Sequence, residues 1–105
     1  MSAPGAVSRD TLATAVRFTL EELATVAAGR SVEVRVPPFG AVQCVAGPVH
    51  RRGTPSSVVE TDPHTWLAVA DGALTWADAL EAGRVQASGE RAALDSLLPL
   101  ANLGR

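Results

Sequence analysis

Lysine, isoleucine and tyrosine are absent from this 105-residue chain, and cysteine occurs once. The lone Cys44 has no partner for an internal disulfide, which points to a reducing, cytoplasmic setting. All nine basic residues are arginines, no arginine run exceeds two, and the net charge is −2. Nucleic-acid binding needs a basic face that releases counterions, and a polybasic membrane anchor needs a cationic cluster; the composition supplies neither. Long apolar runs are lacking as well. Arg9, Asp10, Arg17, Glu21 and Glu22 interrupt those near the start, and MSAPGAVSRDTL lacks the charged-then-apolar order of a signal peptide. No spanning helix, and so no integral membrane association, is expected.

Catalytic machinery is equally sparse. There are two histidines, His50 and His64, and no Gly-x-Ser-x-Gly elbow, His-Glu-x-x-His, Cys-x-x-Cys or glycine-rich phosphate loop. Glu60, Asp62 and His64 alternate and could in principle converge on a metal. Asp62, however, is better placed as a helix cap, with His64 facing water in the first turn. Cys44 has no basic neighbour in sequence and reads as core packing rather than as a reactive thiol. The expectation is a protein with no catalytic residue, no metal and no cofactor.

What the chain does contain is periodicity. Residues 1–8 read as a loose tail and 9–105 as one domain. Leu12, Val16, Leu20, Leu23 and Ala27 recur every three or four residues, predicting a helix from Arg9 or Asp10 to Ala28 that stops at Gly29, with Arg17 and Glu21 paired on its outer face. Ser31–Val36 alternates valine with Glu33 and Arg35, Pro37–Gly40 is a turn, and Ala41–Ala46 returns with Val42, Cys44 and Ala46 on one face. Val49–Arg52 reads as a short third strand and Ser57–Thr61 as a fourth. Asp62 caps a helix opening on Pro63 and closing at Gly72. Thr75 with Asp78 starts another, with Trp76, Ala79 and Leu80 on one face, and Gly83 ends it. Arg84–Ser88 alternates as a fifth strand, and Ser88-Gly89 opens a last helix carrying Ala93, Leu94, Leu97 and Leu98. The fold class expected is α+β: about five strands in a mostly antiparallel or mixed twisted sheet, with about four helices over one face.

Two stretches invite two readings each. Trp66 and Trp76 head helices in the covering segment. They are ordinary core, or, if a ligand enters between helices and sheet, they wall it together with Phe39 on the hairpin tip. Leu80, Leu94, Leu97 and Leu98 are further lining candidates. His50-Arg51-Arg52 is either a solvated sheet edge with one arginine paired to Glu60, or an anion clasp at a pocket mouth with Arg35 as partner. Such a clasp suits a carboxylate, a phosphate head group or a thiol cofactor.

The run Leu74…Trp76-Ala-Asp-Ala-Leu-Glu-Ala-Gly83-Arg-Val-Gln-Ala-Ser-Gly89-Glu…Leu94…Leu97-Leu98 resembles the C-terminal half of the sterol carrier protein family. PPFGAVQC (37–44) and RGTPSSVVETDPHTWL (52–67) are similar to the small stand-alone members found in high-GC Gram-positive bacteria. The resemblance implies helices lying across a twisted five-stranded sheet around an apolar tunnel. It also implies a non-catalytic carrier of a fatty acyl or sterol-like lipid, with Phe39, Val42, the two tryptophans and the four leucines as lining. Similar domains sit at the C-terminal end of mycothiol-dependent maleylpyruvate isomerases and some N-acetyltransferases. The alternative is therefore an accessory domain whose pocket has collapsed, joined to a catalytic partner protein or closed as a homodimer. A third reading assigns thiol-cofactor chemistry to His50, Arg51 and Arg52. Leaving a ~300 Å³ tunnel empty would cost on the order of 7 kcal/mol, against a whole-domain stability of about 5–15 kcal/mol. A chain this short must fill such a space, shrink it or close it with a second copy.

Overall fold

The valines that alternate in the sequence form the buried side of a sheet. A computed structural model describes residues 8–47, 49, 52–89, 94 and 96–100. Within them the order is α1 (Arg9–Val26), β1 (Val32–Val36), β2 (Gly40–Cys44), β3 (Ser57–Thr61), α2 (Pro63–Asp71), α3 (Trp76–Glu81) and β4 (Val85–Gly89). The strands make one mixed sheet in the order β2-β1-β3-β4. β1 pairs antiparallel with β2 and parallel with β3, and β3 pairs antiparallel with β4. The architecture is α+β, as the periodicity implies.

Register sets which side chains meet. Val34 lies between Val42 on β2 and Val59 on β3, and Val59 faces Ala87 on β4. On that side Val32, Val34, Val36, Cys44 and Val59 are buried, while Glu60, Gln86 and Arg35 on the other side are exposed. The three described helices therefore cover the valine face. α1 packs on β2 and α2, and α3 on α2 and β4. Val16, Leu20 and Leu23 of α1 meet Trp66, Val69 and Ala70 of α2 above the valines in one apolar cluster. Each buried leucine or valine there is worth about 1.5–3 kcal/mol in area removed from water.

Local chemistry explains the element ends. Ser8 caps α1 by accepting from the Thr11 N–H, Asp62 caps α2 ahead of Pro63, and Gly72 closes α2 in the left-handed conformation. Thr75 accepts from the Asp78 N–H at 3.0 Å to start α3. The Asp62 carboxylate accepts from the Thr65 backbone N–H at 3.0 Å and from its hydroxyl at 2.6 Å. Desolvation by the surrounding chain works against the Asp62 charge, but the Thr65 hydrogen bonds and nearby Arg84 outweigh it and hold the carboxyl below its ordinary range. A depressed carboxylate stabilises the fold above its unfolded pKa and loses that contribution as pH falls through the folded one. Asp62→Ala is therefore expected to cost about 1 kcal/mol at neutral pH. That gap to the native protein should shrink below about pH 4, in urea titrations run at several pH values.

Several expectations need correcting. α1 stops at Val26 rather than Ala28, because the next residues turn to pack against the end of β2, and its buried face uses Ala13 and Thr19 where Leu12 and Ala27 are only half-buried. Arg17 and Glu21 do not pair; the ion pair among the described residues joins Arg35 to Glu33 at 3.3 Å. Ala46 is exposed beyond β2, since Val45 at φ 65° turns the chain away. Val49 makes an isolated bridge to Pro55 instead of a strand, and the rest of that segment, His50 and Arg51, lies outside the described residues. Ser88 and Gly89 belong to β4, not to a helix start. The last helix was expected on residues 90–98, of which 90–93 and 95 lie outside the described residues; Leu97 and Leu98 both donate their N–H to the Leu94 carbonyl in a turn.

Candidate functional site

The turn from α2 to α3 and the segment 96–100 face each other across an apolar crevice. Leu74 donates its N–H to the Ala68 carbonyl at 3.1 Å, and Asp71 Oδ1 accepts from the Ala73 N–H at 2.9 Å, so the turn is fixed from inside. The Leu100 N–H donates to the Ala70 carbonyl at 2.8 Å, laying the C-terminal segment along α2. Gly72, at φ 94°, leaves room for Pro99, whose Cγ would stand 3.3 Å from any Cβ added there. Between these parts lies a half-open space of about 290 Å³, walled by Val69, Leu74, Trp76, Ala77, Leu98 and Pro99, with Gly72 and Thr75 completing it.

Among the described residues Thr75 is the one polar side chain in that wall, and its hydroxyl is already engaged as the α3 cap. Among the described residues no titratable side chain lines the crevice. Its described wall can exclude water from an apolar group and orient it against an indole ring.

Of the residues singled out in the sequence, the structure brings Trp76 and Leu98 together here. Trp66 and Leu94 are fully enclosed in the solid core, and the Trp66 indole N–H donates to Thr19 Oγ1 at 2.7 Å. Leu97 is half-buried against that core. Leu80, expected beside Trp76 and Ala79 on the buried face, is 40% exposed, because the six-residue α3 buries only Trp76 and Ala79. Phe39 and Val42 lie elsewhere, in a smaller hollow of about 160 Å³ between α1 and β2 that also includes Arg17, Leu20 and Glu21. Arg9 stands over the Phe39 ring, 5.1 Å from its centroid, in a cation–π arrangement. Arg52 is exposed in a turn, and His50 and Arg51 lie outside the described residues. Sequence reasoning missed Val69, Leu74, Ala77 and Pro99. The available signal was the short interval from Gly72 to Thr75, which forces α2 and α3 into a corner with their apolar faces turned to one side.

Glu60, Asp62 and His64 are all exposed, and among the described residues no three metal-ligating side chains converge. Cys44 is buried, and burial pushes its thiol up to about 11. An unfolded thiol ionises near 9, so the folded state holds the extra proton between those values and loses stability as pH rises through that window. Cys44 is expected to resist a thiol-specific disulfide reagent at pH 8 and to react at the rate of global opening. Labelling followed with increasing urea checks this, and fast labelling without urea would contradict it.

Together these features define a small α+β protein: a mixed sheet roofed on one side by helices, with an apolar crevice where the roof meets the C-terminal segment. The family described as bacterial SCP ortholog, for sterol carrier protein, matches residues 8–100, and the chain belongs to it. No curated protein matches the chain. Among solved structures, sterol carrier protein 2 like 2 from Aedes aegypti is similar, with a TM-score of 0.44 and 18% identity over 78% of this chain and 88% of that one. Among the described residues no helix is long and apolar enough to cross a membrane.

Proposed function

We propose that the protein binds a small apolar ligand, an acyl chain or sterol-like group, without catalysing a reaction, and that the crevice between α2, α3 and residues 96–100 is where it binds. The supporting observation is the wall itself: Val69, Leu74, Trp76, Leu98 and Pro99 around about 290 Å³, with no titratable side chain among them. That volume stands at the lower limit of the range for small-molecule pockets, roughly 300–1,000 Å³. A short acyl chain, or one end of a longer lipid, fits it better than a fully enclosed sterol. Membership of the sterol carrier protein-like family supports the same ligand class.

Trp76 provides the reporter. In a Trp66→Phe background it is the one indole left, so titration with medium-chain acyl probes should shift its emission saturably. Ala77, exposed on the rim of the crevice, can be replaced by tryptophan to block the space without disturbing the core, with fluorescent acyl binding as the readout. Saturable binding to the native chain that Ala77→Trp abolishes supports the reading. Absence of saturable binding together with no co-purified lipid in native mass spectrometry ends it.

A further inference from the structure

We propose that the outer edge of β4 pairs with the same strand of a second copy of this chain, antiparallel about a two-fold axis at Ala87, joining two sheets into one. The proposal is independent of the crevice and its ligand.

β4 is the last strand in the order β2-β1-β3-β4, and among the described residues it pairs on one side only, with β3. A free edge presents unpaired N–H and C=O groups, and monomeric proteins blunt it with charge, proline, a bulge or a sharp turn. The other edge is treated in this way. β2 is preceded by Pro37-Pro38 and runs into Val45 at φ 65°, whose N–H bonds to the Ala27 carbonyl and whose carbonyl accepts from the Ser31 N–H. Within β4, Val85-Gln-Ala-Ser-Gly89 contains no charge and no proline, and the nearest described charge is Arg84 at its start.

The helix-side row adds a second observation. Register puts Ala87 in line with Val59 and Val34, both fully buried, yet Ala87 is exposed. Among the described residues, burial on this row reaches Val85 and does not extend to Ala87.

The strand is complementary to itself. Pairing about Ala87 sets Val85 of one copy against Gly89 of the other and the two Ala87 methyls together, so large never meets large. On the open face Gln86 meets Ser88 twice, an amide with a hydroxyl, and both are exposed in the single chain. The two Arg84 side chains fall at opposite ends of the ribbon; a parallel pairing would set them abreast. Because the contact is isologous it closes as a dimer, whereas β4 pairing with β2 of another copy would propagate. A ribbon five residues long is smaller than the standard interface of about 1,200–2,000 Å², so the dimer is weak and concentration-dependent.

Sedimentation equilibrium of the full chain over roughly 10–500 µM, the range in which so small an interface populates, should fit a monomer–dimer equilibrium. Gln86→Lys with Ser88→Lys places like charges opposite each other and should weaken the dimer at least about tenfold. Mixing that variant with Gln86→Glu/Ser88→Glu should restore a dimer. In the native chain alone, amide exchange in β4 should slow as concentration rises. A native protein that stays monomeric over the whole range overturns the proposal. So does a lysine variant that dimerises as tightly as the native chain, a mixture that does not reassociate, or a series of species larger than dimer.

Discussion

Replacing Trp66 by alanine is expected to remove about 3–5 kcal/mol of stability, the upper range for deleting a buried aromatic side chain. Trp66 is the largest fully enclosed side chain of the described core, and it sits where α1, α2 and the valine face of the sheet meet. A domain of this size has about 5–15 kcal/mol in total, so at constant m the urea midpoint of the variant should fall by about a fifth or more. The indole N–H adds a separable contribution. Thr19 Oγ1 accepts from it at 2.7 Å while its single proton is shared between the Ala15 and Val16 carbonyls, so every polar atom of the pair is satisfied. Thr19→Val keeps the volume but strands a buried donor, at about 1–3 kcal/mol. Trp66→Phe removes donor and benzo ring together and should fall between the two. Circular dichroism against urea should rank the midpoints native, Thr19→Val, Trp66→Phe, Trp66→Ala. If Trp66→Ala unfolded within 1 kcal/mol of the native protein, the helix–sheet junction described above would not be the core.

Gly29→Ala should be nearly as damaging, by a different route. A Cβ at this position would run into the Val45 carbonyl carbon and oxygen and the Ala46 nitrogen, all backbone atoms with no freedom to swing aside. The contact is close because two segments are stapled here. The Val45 N–H donates to the Ala27 carbonyl at 2.6 Å, and the Val45 carbonyl accepts from the Ser31 N–H at 3.0 Å and from its hydroxyl at 2.6 Å. The staple holds the end of α1 against the end of β2 and keeps Val45 at φ 65°, a conformation that a β-branched residue rarely adopts. Gly29→Ala should therefore cost about 3 kcal/mol, at the upper end of overpacking effects, since the crossing must open to admit the methyl group. Val45→Gly should cost far less. Relief of a left-handed penalty of about 1–2 kcal/mol offsets the loss of a half-buried side chain. Equal losses from the two substitutions would mean that the backbone crossing is not what Gly29 serves.

Much of the local structure was legible in the residues. Asp62-Pro63, Gly72 and Thr75…Asp78 marked the ends of α2 and the start of α3, because caps satisfy backbone groups within three residues of themselves. The valine alternation marked β1, and the family resemblance is borne out over residues 8–100. Other features were not legible because they depend on residues distant in sequence. Gly29 looked like a helix terminator, but its role is set by Val45, sixteen positions on in the numbering of this chain. Leu80 looked like core by helical spacing, yet α3 is too short to turn it inward. Phe39 and Val42 fit an apolar wall by composition, but β2 packs under α1 and holds them away from Trp76 and Leu98.

By itself the sequence determined what can be read over a few neighbouring residues: where helices begin, which strand positions are apolar, and that chemistry-bearing side chains are scarce. Tertiary structure decided which apolar residues fill the core and which border empty space. That choice depends on how α2, α3 and the C-terminal segment converge, and on Pro99 approaching Gly72 across a gap that no local pattern encodes. Side-chain hydrophobicity specifies that a group leaves water; only the packing of distant elements specifies what it meets there.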